Sequence, residues 1–284
     1  MKKRFISALC ASILILSLSL TQVFAETYFE YDHFTFSKKS DSTISIVGYD
    51  NYSESLYIPS TILDYTVVSI SECTFMDNKS ITSAVLPDTL QSIGSSAFAR
   101  ASRLESITIP ENCNIIARAV FQDCSALKTI ELKNSPTVIE AQMFYRCYAL
   151  ESVVLPESVE TINAFAFSDC SSLKAVTVPK ATTSIATNAF RNCPNVTIYG
   201  YKDSYAQQFA EENSINFEMI PEYEIGDVDM SGIVDIRDTT LIQSYSADIK
   251  ELSDYQLSLA DVNGDGSVNV SDATQIQRVL VGLE

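Results

Sequence analysis

Apolar residues recur through the middle of the chain at an interval of 23 residues. Phe75, Phe98, Phe121, Phe144, Phe167 and Phe190 form one column. Ile70, Ile93, Ile116, Ile139, Ile162 and Ile185 form a second, and Ile81, Leu104, Leu127, Leu150, Leu173 and Val196 a third. Pro87, Pro110, Pro156 and Pro179 add a fourth, broken once by Lys133. Cys124, Cys147, Cys170 and Cys193 make a fifth, with Ala101 and Asn78 in the same slot of earlier units. Columns that stay in register over six units mark a tandem repeat, so the fold question starts there.

Within a unit, Leu104-Glu105-Ser106-Ile107-Thr108-Ile109-Pro110 alternates as a short strand with one buried face. The proline ends it, because it cannot donate to a further ladder bond. The Ile and Ala-Phe positions that follow bury the return path. A single unit cannot cover its own apolar face, but stacked units can, with strands pairing in parallel at about 4.8 Å. Six units predict a rod roughly 30 Å long.

The units resemble the BspA-type leucine-rich repeat, a Leu-x-x-Ile-x-Ile-Pro strand followed by an Ile-x-x-x-Ala-Phe-x-x-Cys-x-x-Leu return. Ile93-Gly94-Ser95-Ser96-Ala97-Phe98 and Ile162-Asn163-Ala164-Phe165-Ala166-Phe167 carry the resemblance, which covers roughly residues 44–217. It implies an α/β leucine-rich-repeat solenoid with a parallel β-sheet on one face, and a secreted or surface protein that binds other proteins or surfaces.

The cysteine column points into a narrow interior, where a small soft side chain packs well. A ladder of free thiols is the leading reading, with a disulfide or a metal site as alternatives. Cys73 and Cys113 lie outside the column and read as core substitutions. At the ends, Tyr28 to Phe36 alternates like an edge strand, and Pro59 to Ile70 carries a five-residue insertion. Ser204 to Asn213 reads as a short amphipathic helix with Tyr205, Phe209 and Ala210 on one side. The open strand face should show the rows Ser83, Ser106, Thr129, Ser152, Ala175 and Val85, Thr108, Glu131, Val154, Thr177. Glu131 has no second acid in line for glycoside hydrolysis. No aromatic platform is expected there and Trp is absent, which weakens a sugar-binding reading.

The pattern changes after Pro221. Asp261, Asn263, Asp265, Gly266, Ser267, Asn269 and Asp272 occupy positions 1, 3, 5, 6, 7, 9 and 12 of an oxygen-rich loop. Asp227, Asp229, Ser231, Gly232, Ile233, Asp235 and Asp238 repeat that layout 34 residues earlier. A hard cation of calcium's size takes six to eight oxygens, which this spacing supplies, Ile233 and Ser267 through their carbonyls and Asn269 through a water. Helices should follow, with Leu241, Ile242 and Tyr245 on one apolar face and Ala273, Ile276, Val279 and Leu280 on the other. Position 12 is Asp, not Glu, and no helical pattern closely precedes the loops, so this is not an ordinary EF-hand pair.

The paired loop-helix segments, with Gly226-Asp227-Val228-Asp229 and Ala260-Asp261-Val262-Asn263-Gly264-Asp265-Gly266, resemble a type I dockerin over residues 226–284. The resemblance implies two calcium ions and a partner, the cohesin module of a scaffoldin. Family contact positions fall on Ile236, Arg237, Gln243 and Ser244 in the first repeat, and on Val270, Ser271, Gln277 and Arg278 in the second. Because the sets differ, two docking orientations need not be equivalent. Packing beside the loop is the competing reading for Ile236 and Val270.

Composition sharpens this picture. Met1-Lys2-Lys3-Arg4, an apolar run to Leu20 and Val23-Phe24-Ala25 read as a signal peptide of residues 1–25, an uncleaved anchor being the alternative. The formal charge is −17, becoming −20 without the three N-terminal cations. That balance argues against nucleic acid, and a lone histidine, His33, leaves no room for a Ser-His-Asp relay. The expected organisation is an N-terminal cap and first strands over 26–69, the repeats and C-terminal cap over 70–220, a linker over 221–225 and the calcium module over 226–284. The expected function is that of a secreted, non-catalytic protein. It would dock through the calcium module and present its repeats to an unidentified protein or surface ligand, without inserting in a membrane. The rivals are a polysaccharide-degrading or polysaccharide-binding component of a cellulosome, and a free adhesin or inhibitor.

Overall fold

A computed structural model describes residues 28–133 and 136–283; the signal peptide expected over 1–25 lies outside them. The chain divides into two compact units between Ile220 and Pro221. The first is a solenoid of short parallel strands. Ser55–Tyr57, Ser83–Val85, Ser106–Ile109 and Thr129–Leu132 form one parallel ladder, and Ser152–Val154, Ala175–Thr177, Thr197–Gly200 and Asn216–Met219 another. The return path adds two-residue strands that also pair in parallel, Ser92–Ile93 on Ile115–Ile116, and Val138–Ile139, Thr161–Ile162 and Ser184–Ile185 in sequence. A second parallel ladder therefore joins the expected one. The proline column sits where expected, with Pro110 directly after Ile109.

The apolar columns become continuous inside the coil. The six phenylalanines stack with ring centroids 4.9, 5.8, 5.8, 5.1 and 5.2 Å apart and planes within 18°. Edge-on and tilted aromatic contacts continue the column into both caps, through Tyr49 and Phe34 at one end and Phe209 at the other. Each ring gains about 1.5–3 kcal/mol by burial, and aromatic pairing adds to it.

A further ladder runs beside the rings. The N–H groups of Phe75, Phe98, Phe121, Phe144 and Phe167 each donate to a carbonyl of the following coil. So do those of the residues two before and two after the earlier rings, such as Cys73 to Ser95 and Asp77 to Ala99. Those flanking residues take positive φ: Cys73, Ser96, Ala119, Gln142 and Phe165 on one side, and Asp77, Arg100, Asp123, Arg146 and Asp169 on the other. A non-glycine residue there costs about 1 kcal/mol or more. The inter-coil bond it makes is worth a similar amount and offsets the strain.

The cysteine column is a donor column. The thiols of Cys124, Cys147, Cys170 and Cys193 donate to the carbonyls of Phe98, Phe121, Phe144 and Phe167 at 3.0–3.1 Å. All six described cysteines are free. Burial pushes the Cys113 and Cys124 thiols up to about 12, so they stay protonated. Cys113 is core, as expected, but Cys73 is exposed.

The caps differ in detail from the sequence reading. Tyr28 to Phe36 is a hairpin of Tyr28–Tyr31 and Phe34–Lys38, turned by Asp32 and His33 at φ 45° and 70°. The insertion after Pro59 folds as a small antiparallel pair, Thr61–Ile62 on Tyr65–Ile70. Helix α1 (Tyr205–Glu212) is capped by Ser204, whose side chain accepts from the Gln207 N–H. It buries Ala206, Phe209 and Ala210, while Tyr205 is exposed.

The second unit contains α2 (Ile236–Ser246), α3 (Asp254–Ala260) and α4 (Val270–Leu280), around a small core of Val228, Ile242, Ala260, Ala273 and Ile276. Residues 221–225 belong to this unit, with Tyr223 packed on Tyr255. Val279 and Leu280, expected on the apolar face of α4, are exposed; that face ends at Ile276.

Candidate functional site

The two oxygen-rich loops fold around their own aspartates. In the first, Asp227 is 1% exposed and Asp238 fully buried. The Asp227 carboxylate accepts from the N–H groups of Ser231 and Gly232 at 3.0 and 2.7 Å. Asp238 accepts from Asp229 and Asp235 at 2.9 and 2.8 Å. In the second, Asp261 accepts from Asp265 and Gly266 at 3.1 and 2.9 Å. Asp272 accepts from Val262, Asn263 and Asn269 at 3.0, 3.2 and 2.9 Å. Gly232 and Gly266 supply the turn at φ 86° and 82°, which a side chain would strain.

Position 12, expected as a ligand, caps the helix that follows, which the expected ligand pattern hid. Asp238 and Asp272 are the third residues of α2 and α4 and close capping boxes with Asp235 and Asn269. The D-x-x-D and N-x-x-D spacing was the signal for it. Contrary to the sequence reading, a helix does precede the second loop: α3 ends at Ala260 and Asp261 is its C-cap. Gln256 of α3 donates to the Val228 carbonyl at 2.9 Å, tying the two halves together.

Calcium holds oxygens at 2.3–2.6 Å, so two on one ion are at most about 5 Å apart. The carboxylate atoms of Asp227, Asp229 and Asp238 lie within 4.8 Å of one another, which fits. Among the described residues this is the one such carboxylate group; in the second loop Asn263 replaces an acid. Buried acids without a counter-charge are costly, and a cation would relieve that cost. The Ile233 carbonyl accepts from Ser231 Oγ at 3.3 Å and that of Ser267 from Asn269 Nδ2 at 3.0 Å, within each loop's own ligand positions.

The contact positions divide by exposure. Ile236 and Val270 are 58% and 60% exposed, so packing does not account for them. Gln243, Ser271 and Arg278 are exposed, and Ser244 and Gln277 half-buried. Arg237 is exposed yet engaged, with Nη2 2.9 Å from Asp235. That guanidinium holds the Asp235 carboxyl below the usual carboxylate range.

On the solenoid, the open face shows the two predicted rows between the buried Ala84, Ile107, Ile130, Val153 and Val176. Glu131 accepts from Thr108 Oγ1 at 3.0 Å. The expectation of a face without aromatics is corrected at its ends. Tyr57 pairs beside Val85 and is exposed, and Tyr199 pairs beside Thr177, both on strands outside the six-unit pattern.

Residues 45–153 and 68–197 match the model of the BspA type leucine rich repeat region, in six copies, and residues 225–281 that of the dockerin type I domain. No curated protein matches the chain. Among solved structures, the T. pallidum leucine rich repeat protein is 25% identical with a TM-score of 0.59, over 68% of this chain and 98% of that one. A leucine rich cell surface protein from Faecalibacterium prausnitzii A2-165 is 28% identical with a TM-score of 0.51, over 64% of this chain and 56% of that one. The pneumococcal vaccine antigen PcpA shares the fold at 22% identity and a TM-score of 0.56, over 69% of this chain and 48% of that one.

Proposed function

Because this chain belongs to the BspA-type leucine-rich-repeat family and carries a type I dockerin domain at its C-terminus, we propose that it is a secreted, non-catalytic docking protein of a scaffoldin-based assembly. Type I dockerins bind calcium and imply a cohesin partner, and leucine-rich repeats imply protein interaction. Both are typical of extracellular proteins and are typically non-catalytic. Among the described residues no helix is long and apolar enough to cross a membrane.

In this reading, two calcium ions order the loops. Asp227, Asp229, Ser231, Ile233, Asp235 and Asp238 hold one, and Asp261, Asn263, Asp265, Ser267, Asn269 and Asp272 the other. Ordered loops fix the starts of α2 and α4 and so present Ile236, Arg237, Val270 and Ser271, with Gln243, Ser244, Gln277 and Arg278 a turn or two further on, to the cohesin. The solenoid then offers its open strand face to a protein or cell-surface ligand. The paired loops, each wrapped around two aspartates of which Asp227, Asp238 and Asp272 are buried, at a helix start, carry this reading.

The test is binding of the full chain to a panel of type I cohesins with calcium and with excess chelator. Calcium-dependent binding, weakened by Asp227→Ala and by Asp261→Ala, is the expected result. Tight binding retained in chelator would overturn the calcium mechanism, and a panel that binds nothing would favour a free adhesin.

A further inference from the structure

In the first oxygen-rich loop a guanidinium already sits among the carboxylates. Arg237 Nε is 3.1 and 3.0 Å from the two Asp235 oxygens and 3.6 Å from Asp229 Oδ2. Its Nη2 is 2.9 Å from Asp235 Oδ2 and 3.4 Å from Ser231 Oγ. Those partners stand at loop positions 3, 5 and 9. The second loop has Ser271 at the equivalent place, and among the described residues no lysine or arginine pairs with Asp261, Asp265 or Asp272.

The loop compositions give a reason for the difference. The first loop holds four carboxylates, Asp227, Asp229, Asp235 and Asp238, and the second three, with Asn263 and Asn269 in place of acids. Arg237 brings the first loop to the same formal charge as the second, −3. A planar guanidinium with five donors can span several oxygens at once, which a serine cannot.

We propose that Arg237 is the internal counter-cation of the first loop, competing with calcium for Asp229 and Ser231. It holds these oxygens together before the ion enters, lowers the loop's affinity for calcium, and is freed at a partner-contact position when the ion takes its place. This rests on the calcium-docking reading above. By linkage, a partner that engages the freed guanidinium raises the first loop's calcium affinity by the same factor that calcium raises the partner's. Arg237 is exposed, so the competition is modest, about two- to five-fold in affinity.

The test is a calcium titration of the full ¹⁵N-labelled chain by NMR. The Gly232 and Gly266 amides report the two loops separately, since each donates to its own loop's first aspartate. The Arg237 Nε signal is expected to move together with Gly232. In Arg237→Gln the Gly232 midpoint should fall two- to five-fold in calcium concentration while Gly266 stays in place, and Arg237→Lys should restore part of the difference. A Gly232 midpoint that stays or rises in Arg237→Gln, or an Arg237 signal that ignores the Gly232 step, overturns the proposal and leaves the docking reading standing. If neither glycine responds to calcium, both fall.

Discussion

The two units of this protein are held together by opposite means. The solenoid buries a continuous column of six stacked phenylalanines flanked by isoleucine and leucine columns. The C-terminal unit buries Val228, Ile242, Ala260, Ala273 and Ile276, and alongside them Asp227, Asp238 and Asp272. Apolar area stabilises the first without any bound ion. The second is a small unit with little apolar core, and such units commonly need a metal or another staple. On the calcium reading proposed above, its buried carboxylates would make its stability depend on the ion concentration. Repetition in the first multiplies one packing solution; duplication in the second repeats one oxygen-rich loop and its helix.

The largest effect expected from this contrast is on removing calcium. With calcium at a thousand times its dissociation constant, each site adds about 4 kcal/mol to the folded state. Excess chelator should therefore lower the unfolding midpoint of the C-terminal unit and leave that of the solenoid unchanged; a single transition shared by both units would break the contrast. Next in size, Phe144→Ala should cost the solenoid about 3–5 kcal/mol in urea unfolding, through the cavity left in the stack. The calcium titration of the same variant should be unchanged. The smallest effect belongs to the outer ladder, where Arg100 forms an ion pair with Asp77 at 2.6 Å. Hydrogen bonding to Arg100 holds the Asp77 carboxyl below its ordinary value. The pair's contribution is then present above the carboxylate range and is lost as pH falls through the lowered Asp77 value. Arg100→Gln should be slightly less stable than wild type at neutral pH, and the two should converge in acid.

Much of this was readable from residue order. The rings, the prolines and the thiols could be placed because a strict period forces equivalent residues into equivalent environments. The oxygen-rich positions of the two loops could be named because an oxygen cage needs fixed spacings. The left-handed positions were not readable. Glycine usually marks them, and here they are filled by residues as different as Cys73, Ala119, Phe165 and Arg146. Asp77, Arg100, Asp123, Arg146 and Asp169 alternate in charge at the repeat interval, yet only the stacked coils show that Arg100 reaches Asp77. Helix α3 was missed because seven residues give too little periodicity, although Ser253 and Gln256 form its capping box.

The sequence by itself determined the repeat, its register and the duplicated oxygen pattern, because each is a matter of spacing along the chain. Only the tertiary structure decided which amides donate to the next coil, that the thiols donate to the phenylalanine carbonyls, and that Arg237 turns back into its own loop. Those are choices of direction. A backbone can direct an N–H, a thiol or a guanidinium toward more than one partner, and the choice is fixed only when the next coil or loop is in place.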